Sequence, residues 1–202
     1  MVKPVSSDLL IAGGGLAGIV TALEALRAGK SVTIVDRDSP ERFGGLALWA
    51  FGGMMLIDTP LQRRMRIADS PELALNDWLR FGELDPNDEW PVQWARYYVE
   101  HSRTEVHDWL ADEGIKFMPA VNWVERGRFG DGNSVPRYHI TWGTSRELVR
   151  CMVNALHEAN TGGRLAIHHR HRITALDHQA GEVCGAVAIN EETGEEMRFE
   201  AP

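Results

Sequence analysis

Residues 11–20 read IAGGGLAGIV and place four glycines in six positions between two apolar runs. Gly13, Gly15 and Gly18 fit the spacing Gly-x-Gly-x-x-Gly. A chain gives up side chains there either because the backbone turns too tightly for a Cβ or because something must approach it closely. The flanks separate the two cases. Residues 7–12 (SDLLIA) are a short apolar run of the kind found in buried parallel strands. From Leu16 to Ala28 the apolar residues Ile19, Leu23 and Leu26 recur at helical spacing, and Gly29 follows as a stop. Residues 31–35 (SVTIV) are rich in β-branched residues and predict a second strand. Strand, glycine turn, helix and strand in that order make a right-handed crossover with parallel strands.

In such a unit the three glycines divide the work. The first permits the turn, the second lets a pyrophosphate come close, and the third lets helix and strand pack. The helix start, with Leu16 and Ala17, offers free N–H groups and a positive dipole end to the phosphates. An acidic residue closing the second strand binds a ribose hydroxyl, and Asp36 stands directly after SVTIV. A plain glycine-rich turn followed by a surface aspartate is the alternative. The nucleotide is NAD, NADP or FAD. Arg37 suits a 2′-phosphate, but Asp36 beside it repels one. The next segment, ERFGGLALWAFGGM (41–54), decides: Gly44-Gly45 and Gly52-Gly53 are separated by small Ala47 and Ala50. This second bare stretch can lie along a pyrophosphate and reach a flat ring, which favours FAD over an NAD(P) unit.

The rest of the chain bounds the problem. Hydrophobic residues at 44% and charged residues at 25% describe an ordinary globular protein rather than a disordered one. A net charge of −8 argues against a nucleic-acid partner, which needs a basic face. Cys151 and Cys184 lack the spacing of a disulfide framework, which points to a reducing, cytoplasmic setting. The first fifteen residues read as a strand start rather than a secretion signal, and no apolar stretch is long enough for a transmembrane segment.

Residues 57–142 predict a helical, tryptophan-rich insertion whose tryptophans are mainly core. Ser70-Pro71 starts one helix. Another runs from near Pro91 to Glu113, with the stripe Ala95, Val99, Ser102, Val106 and Leu110. Thr144 to Glu147 matches a capping box, opening a helix with Leu148, Met152, Val153 and Leu156 on one side. Strands follow at Arg164–Leu176, Val183–Asn190 and Glu195–Ala201. His169 and His171 share a strand face, but no acid or cysteine completes a metal site, so a solvated face is expected. No GxSxG supports hydrolase chemistry.

The pattern DLLIAGGGLAGIVTALEALRAGKSVTIVD…GGLALWAFGGM resembles the N-terminal part of family 2 FAD-dependent oxidoreductases, the fumarate reductase and succinate dehydrogenase flavoprotein group. GNSVPRYHITWGT (132–144) and HRITALDHQAGEVCGAVAINEETGEEMRFEA (171–201) look like bacterial FAD-binding dehydrogenases akin to 3-ketosteroid Δ1-dehydrogenases. The resemblance implies an α/β Rossmann-like FAD-binding fold. It combines a parallel sheet with a three-stranded β crossover, formed by residues 1–56 and 143–202 around a helical insertion at 57–142. It implies FAD as cofactor, held by Gly13, Gly15, Leu16, Ala17, Gly18, Asp36, Arg37, Gly44, Gly45, Ala47, Gly52, Gly53 and the backbone of Ile173. His139, Thr141 and Trp142 are the candidates for active-site neighbours, with a structured loop as the alternative.

The implied activity is hydride transfer between flavin N5 and a substrate carbon–carbon bond next to a carbonyl or carboxylate. A small-molecule substrate and an unnamed electron acceptor are the implied partners. The family places a fourth strand after the crossover, in the order 3-2-1-4. Here the sequence reaches only Pro202, so an N-terminal fragment, catalytically incomplete, is expected.

Overall fold

The computed structural model describes residues 4–85, 87–121, 124–126 and 131–202. Of the expected helical insertion, 86, 122–123 and 127–130 lie outside the described residues, as does the lysine-bearing start at 1–3. The chain divides into two compact units, residues 1–49 with 149–202, and residues 50–148.

The first unit is built on the glycine turn. Strand β1 (Val5–Ser6) precedes β2 (Leu9–Ala12), helix α1 (Leu16–Arg27) and β3 (Val32–Val35). Every residue of β3 is buried, as its unbroken apolar and β-branched run requires of a strand covered on both faces. It pairs in parallel with β2, Leu9 opposite Val32. On its other side it pairs in parallel with the strand Leu165–His168, giving three of the four places in the expected order, with β2 outermost. α1 buries Ile19, Ala22, Leu23 and Leu26 and gives way to Gly29 at φ +81°. It lies so close to the turn that a Cβ on Gly18 would sit 2.1 Å from the Gly13 carbonyl oxygen and 3.2 Å from Ile11 Cγ2. Gly18→Ala therefore forces strand and helix apart. The expected cost is about 3 kcal/mol, which at this chain length lowers Tm by roughly 6–12 °C, readable by circular dichroism.

In the second unit β4 (Gly53–Met55) pairs antiparallel with β5 (Tyr138–Ile140). Between them come α2 (Pro60–Arg64), α3 (Pro71–Phe81), α4 (Glu89–His101) and α5 (Trp109–Asp112). Thr59 and Gln62 cap α2 reciprocally. Ser70 starts α3 as expected, its Oγ accepting from Leu73 N at 3.2 Å. The single helix expected over 91–113 instead contains a π-helical segment, Ser102–Asp108, between α4 and α5. The four-residue steps of the stripe, Ser102 to Val106 to Leu110, suit a widened turn as well as an α turn, so spacing alone does not separate them. Ile57, Ala74 and Val99 form the core, with Trp78 and Tyr98 packed on it. The tryptophans divide: Trp78 joins the core, whereas Trp90, Trp94 and Trp142 are more than 60% exposed.

Among the described residues, the largest fully buried side chain is that of Arg137. Its guanidinium grips Asp69 through Nε (2.9 Å) and Nη2 (2.8 Å) and reaches Asp77 through Nη1 (2.7 Å). Asp77 also accepts from Ser134 N at 2.7 Å and Ser134 Oγ at 2.6 Å. Burial works to raise the Asp77 carboxyl, but the bonds from Ser134 and Arg137 outweigh it and hold the group below the usual carboxylate range.

The chain returns to the first unit through α6 (Thr144–Ala159), which buries Leu148, Val149, Met152 and Leu156. After β6 (Leu165–His168) come β7 (His171–Gln179), β8 (Glu182–Asn190) and β9 (Glu196–Glu200), an antiparallel meander that β1 joins alongside β9. The single strand expected over 164–176 is thus two. Arg170, at φ +60°, turns the chain from one sheet to the other, with Arg170 N on Asp38 O (3.0 Å) and His171 N on Asp36 O (2.9 Å). That turn resets the side-chain alternation. His168 and His171 come together, ring centroids 5.5 Å apart, and both pack edge-on to Phe199. The solvated His169/His171 face is corrected accordingly: His171 is buried.

Candidate cofactor-binding site

Each glycine of the triplet has its own physical reason. Gly13 takes φ +100°, and its N–H donates to Val35 O at 2.8 Å, which turns the chain out of β2. A Cβ on Gly15 would meet no atom within 4 Å, so the loop is open to an approaching group on that side. The first bond of α1 runs from Ile19 N to Gly15 O (3.0 Å). The amides of Leu16, Ala17 and Gly18 therefore have no intrahelical partner at the positive end of the helix.

Asp36 follows β3 and is nearly buried. Its Oδ2 accepts from Gly14 N, and Oδ1 accepts from Asp38 N at 2.7 Å. An ionised carboxylate has about four acceptor positions, so two remain for a diol. The second glycine stretch is strapped to the first by Gly44 N donating to Gly14 O at 2.8 Å, and Gly44 pairs with Gly15 as an isolated parallel bridge. Gly44 takes φ +113°, where a Cβ would strike Val149. Gly45 approaches the Gly15 Cα to 3.5 Å from its own Cβ position, and Ala47 is half-buried in the following 3-10 turn. Arg37 Nε donates to Glu191 Oε2 (3.0 Å) on the surface. Ile173 lies on β7, an outer strand of its sheet, and its side chain packs beside Val35, Ala188 and Phe199.

Gly52, Gly53, His139, Thr141 and Trp142 belong to the other unit. There Gly52 and Gly53 are bare for a local reason: a Cβ would strike Thr141 Oγ1 at 2.3 Å and the Tyr138 hydroxyl at 1.8 Å respectively. His139 is fully buried, its Nδ1 donating to Arg137 O (2.7 Å) and its Nε2 accepting from Thr59 Oγ1 (2.7 Å). Thr141 is buried against Gly52 O, and Trp142 is 61% exposed. Burial above all, with His107 nearby, holds the His139 imidazole below its usual value of 6.5. The unfolded chain takes up a proton below that value while the folded chain resists it. Stability is therefore full above it and is lost as pH falls. Melts from about pH 7.5 to about pH 5.5 should show Tm falling, with a shallower fall in His139→Gln.

Two neighbours of the glycine loop carry no sequence motif. Phe43 is buried against Gly14, where a Cβ would meet its ring at 2.3 Å. His169 stands edge-on to Phe43, centroids 5.2 Å apart, and its buried Nδ1 has no hydrogen-bond partner among the described residues.

The family profile for the FAD binding domain matches residues 8–202. The chain is a member of FAD-dependent oxidoreductase family 2. Within the family it is 44% identical over 183 residues to a KsdD-like steroid dehydrogenase of Mycolicibacterium smegmatis, covering 89% of this chain and 33% of that protein. It is 42% identical over 197 residues to a KsdD-like steroid dehydrogenase of Mycobacterium tuberculosis, covering 96% and 34%. Among solved structures, the 3-ketosteroid-Δ4-(5α)-dehydrogenase of Rhodococcus jostii, in complex with 4-androstene-3,17-dione, shares the fold. The TM-score is 0.78 at 24% identity, over 100% of this chain and 45% of that one. The chain spans about a third of the length of the curated relatives it matches.

FAD is the cofactor of this family. The residues of the first unit fit its ADP half: an open approach at Gly15, three unpaired helix amides, spare acceptor positions on Asp36 and the orphaned His169 Nδ1. Among the described residues, no helix is long and apolar enough to cross a membrane.

Proposed function

We propose that this chain supplies the cofactor-binding part of a FAD-dependent dehydrogenase or reductase acting on a carbon–carbon bond next to a carbonyl or carboxylate. The bound flavin supplies hydride acceptance or donation at N5. Residues 1–56 and 143–202 hold the cofactor around the insertion at 57–142. The open side of Gly15, with the amides of Leu16, Ala17 and Gly18, takes the pyrophosphate. Asp36 takes the adenosine ribose, and Gly13, Gly44, Gly45 and Ala47 shape the surrounding backbone. Arg37 and the backbone of Ile173 border the adenosine.

His139, with both nitrogens engaged and no exposure, serves to position its loop rather than to touch substrate. The steroid-dehydrogenase relatives support a ketosteroid-like substrate for the whole enzyme. The substrate is a small molecule that passes electrons on to an acceptor, and the setting is the reducing cytoplasm, in keeping with two cysteines outside any disulfide.

The observation that carries this reading is the Gly44–Gly14 strap. It lays a second bare stretch beside the phosphate-binding turn, which an NAD(P) unit does not need. Titration of the 202-residue chain with FAD, followed by flavin fluorescence, tests it. Saturable quenching is expected, with NADH and NADP, which share only the ADP half of the cofactor, displacing FAD only in large excess. Saturable NADP binding without FAD binding would overturn it. The span of one third of the relatives favours a second reading, nucleotide binding without turnover, in which the chain binds FAD yet reduces no acceptor dye.

A further inference from the structure

We infer that the helical unit carries a second ligand site, for a small carboxylate with a flat apolar ring. An open cavity of about 570 Å³ lies among α2, the π-helical segment and residues 116–119. His107 and Phe117 line it, their rings nearly parallel at 12° and 5.1 Å between centroids. The buried His139 ring stands edge-on to both, at 6.3 and 6.0 Å, and fixes them from behind. Leu61 and Met118 extend the apolar lining. Such a stacked floor suits a planar ring, which gains offset or edge contacts with both partners.

The charge on the same cavity is one-sided. Nearby arginines are paired: Arg63 and Arg103 with Asp58, Arg137 with Asp69 and Asp77. Arg64 and Lys116, which line the cavity, have no ion-pair partner among the described residues. In a chain of net charge −8, two unpaired cations on one cavity are a local exception and draw an anion to it. His107 adds a third polar group. Its Nδ1 is 2.7 Å from Asp108 Oδ1, which orients the ring and leaves Nε2 without a partner among the described residues. The π-helical segment presents it there, in the kind of local widening that often accompanies ligand sites. The cavity belongs entirely to residues 50–148 and does not depend on the cofactor reading.

The test uses the 202-residue chain, with the His107 ring followed by NMR and affinities measured calorimetrically. Benzoate carries both ring and carboxylate, inorganic phosphate the charge alone, and benzyl alcohol the ring alone. Benzoate is expected to bind with a Kd of about 1 mM or tighter and to shift the His107 ring signals, each partial probe binding about tenfold more weakly. The double variant Arg64→Gln/Lys116→Gln should keep its Tm and lose about tenfold in benzoate affinity. Absence of saturation by benzoate, equal binding of benzyl alcohol, or unchanged affinity in the double variant would each overturn the assignment. Phosphate binding as tightly as benzoate would reduce the site to a bare anion patch and overturn the ring half of it.

Discussion

Gly15→Leu is expected to abolish FAD binding while leaving the chain folded. The backbone at Gly15 has φ −73° and ψ 175°, an extended conformation open to any residue, and the Cβ position faces empty space. The new side chain therefore finds room in the ligand-free protein. It occupies the volume a pyrophosphate needs and covers the Leu16, Ala17 and Gly18 amides. A loss of at least about 100-fold in FAD affinity, roughly 3 kcal/mol, is expected with Tm unchanged. Gly18→Ala should do the reverse, lowering Tm through the clash with the Gly13 carbonyl while leaving the open face of the loop in place. If the two variants cost binding and stability in equal proportion, the division of labour within the triplet is wrong.

The largest effect on stability is expected at Asp69. Asp69→Ala strips the Arg137 guanidinium of its two-pronged partner at a site with no solvent exposure. Asp77 alone then has to offset a fully buried cation. Breaking such a pair costs about 3–5 kcal/mol, which for a chain of this length is a fall of roughly 6–20 °C in the melting of the helical unit. The paired replacement Asp69→Leu/Arg137→Met removes both charges and should recover most of the loss. A single variant as stable as the parent would show that the buried network does not hold the 131–137 segment to α3.

The elements legible in the sequence are those fixed by neighbours in the chain. β2, the turn, α1 and β3 span about thirty residues, and each announces itself: an apolar run, a glycine triplet, a helical stripe and a β-branched run. Asp36 was readable because its place at the end of β3 follows from the same unit. Other features depend on partners far away in sequence. The break between β6 and β7 is set by Asp36 and Asp38 accepting from His171 and Arg170, more than 130 residues on. The burial of Arg137 depends on Asp69 and Asp77, 68 and 60 positions earlier. Phe43 and His169 meet beside Gly14 only once both glycine stretches are in place. Gly52 and Gly53 show the converse limit. The sequence marks bare backbone there, but their immediate neighbours, Thr141 and Tyr138, already require it. The capping pair Thr59 and Gln62 was readable in principle, since it is a threonine followed three places later by glutamine.

The most direct measurement is competition between halves of the cofactor. With FAD bound to the chain, ADP and FMN are added separately and the released flavin is followed by fluorescence. The glycine turn and Asp36 are assigned to the ADP half, so ADP should displace FAD while FMN, which lacks that half, should not. Displacement by FMN with ADP inert would contradict the account at its centre.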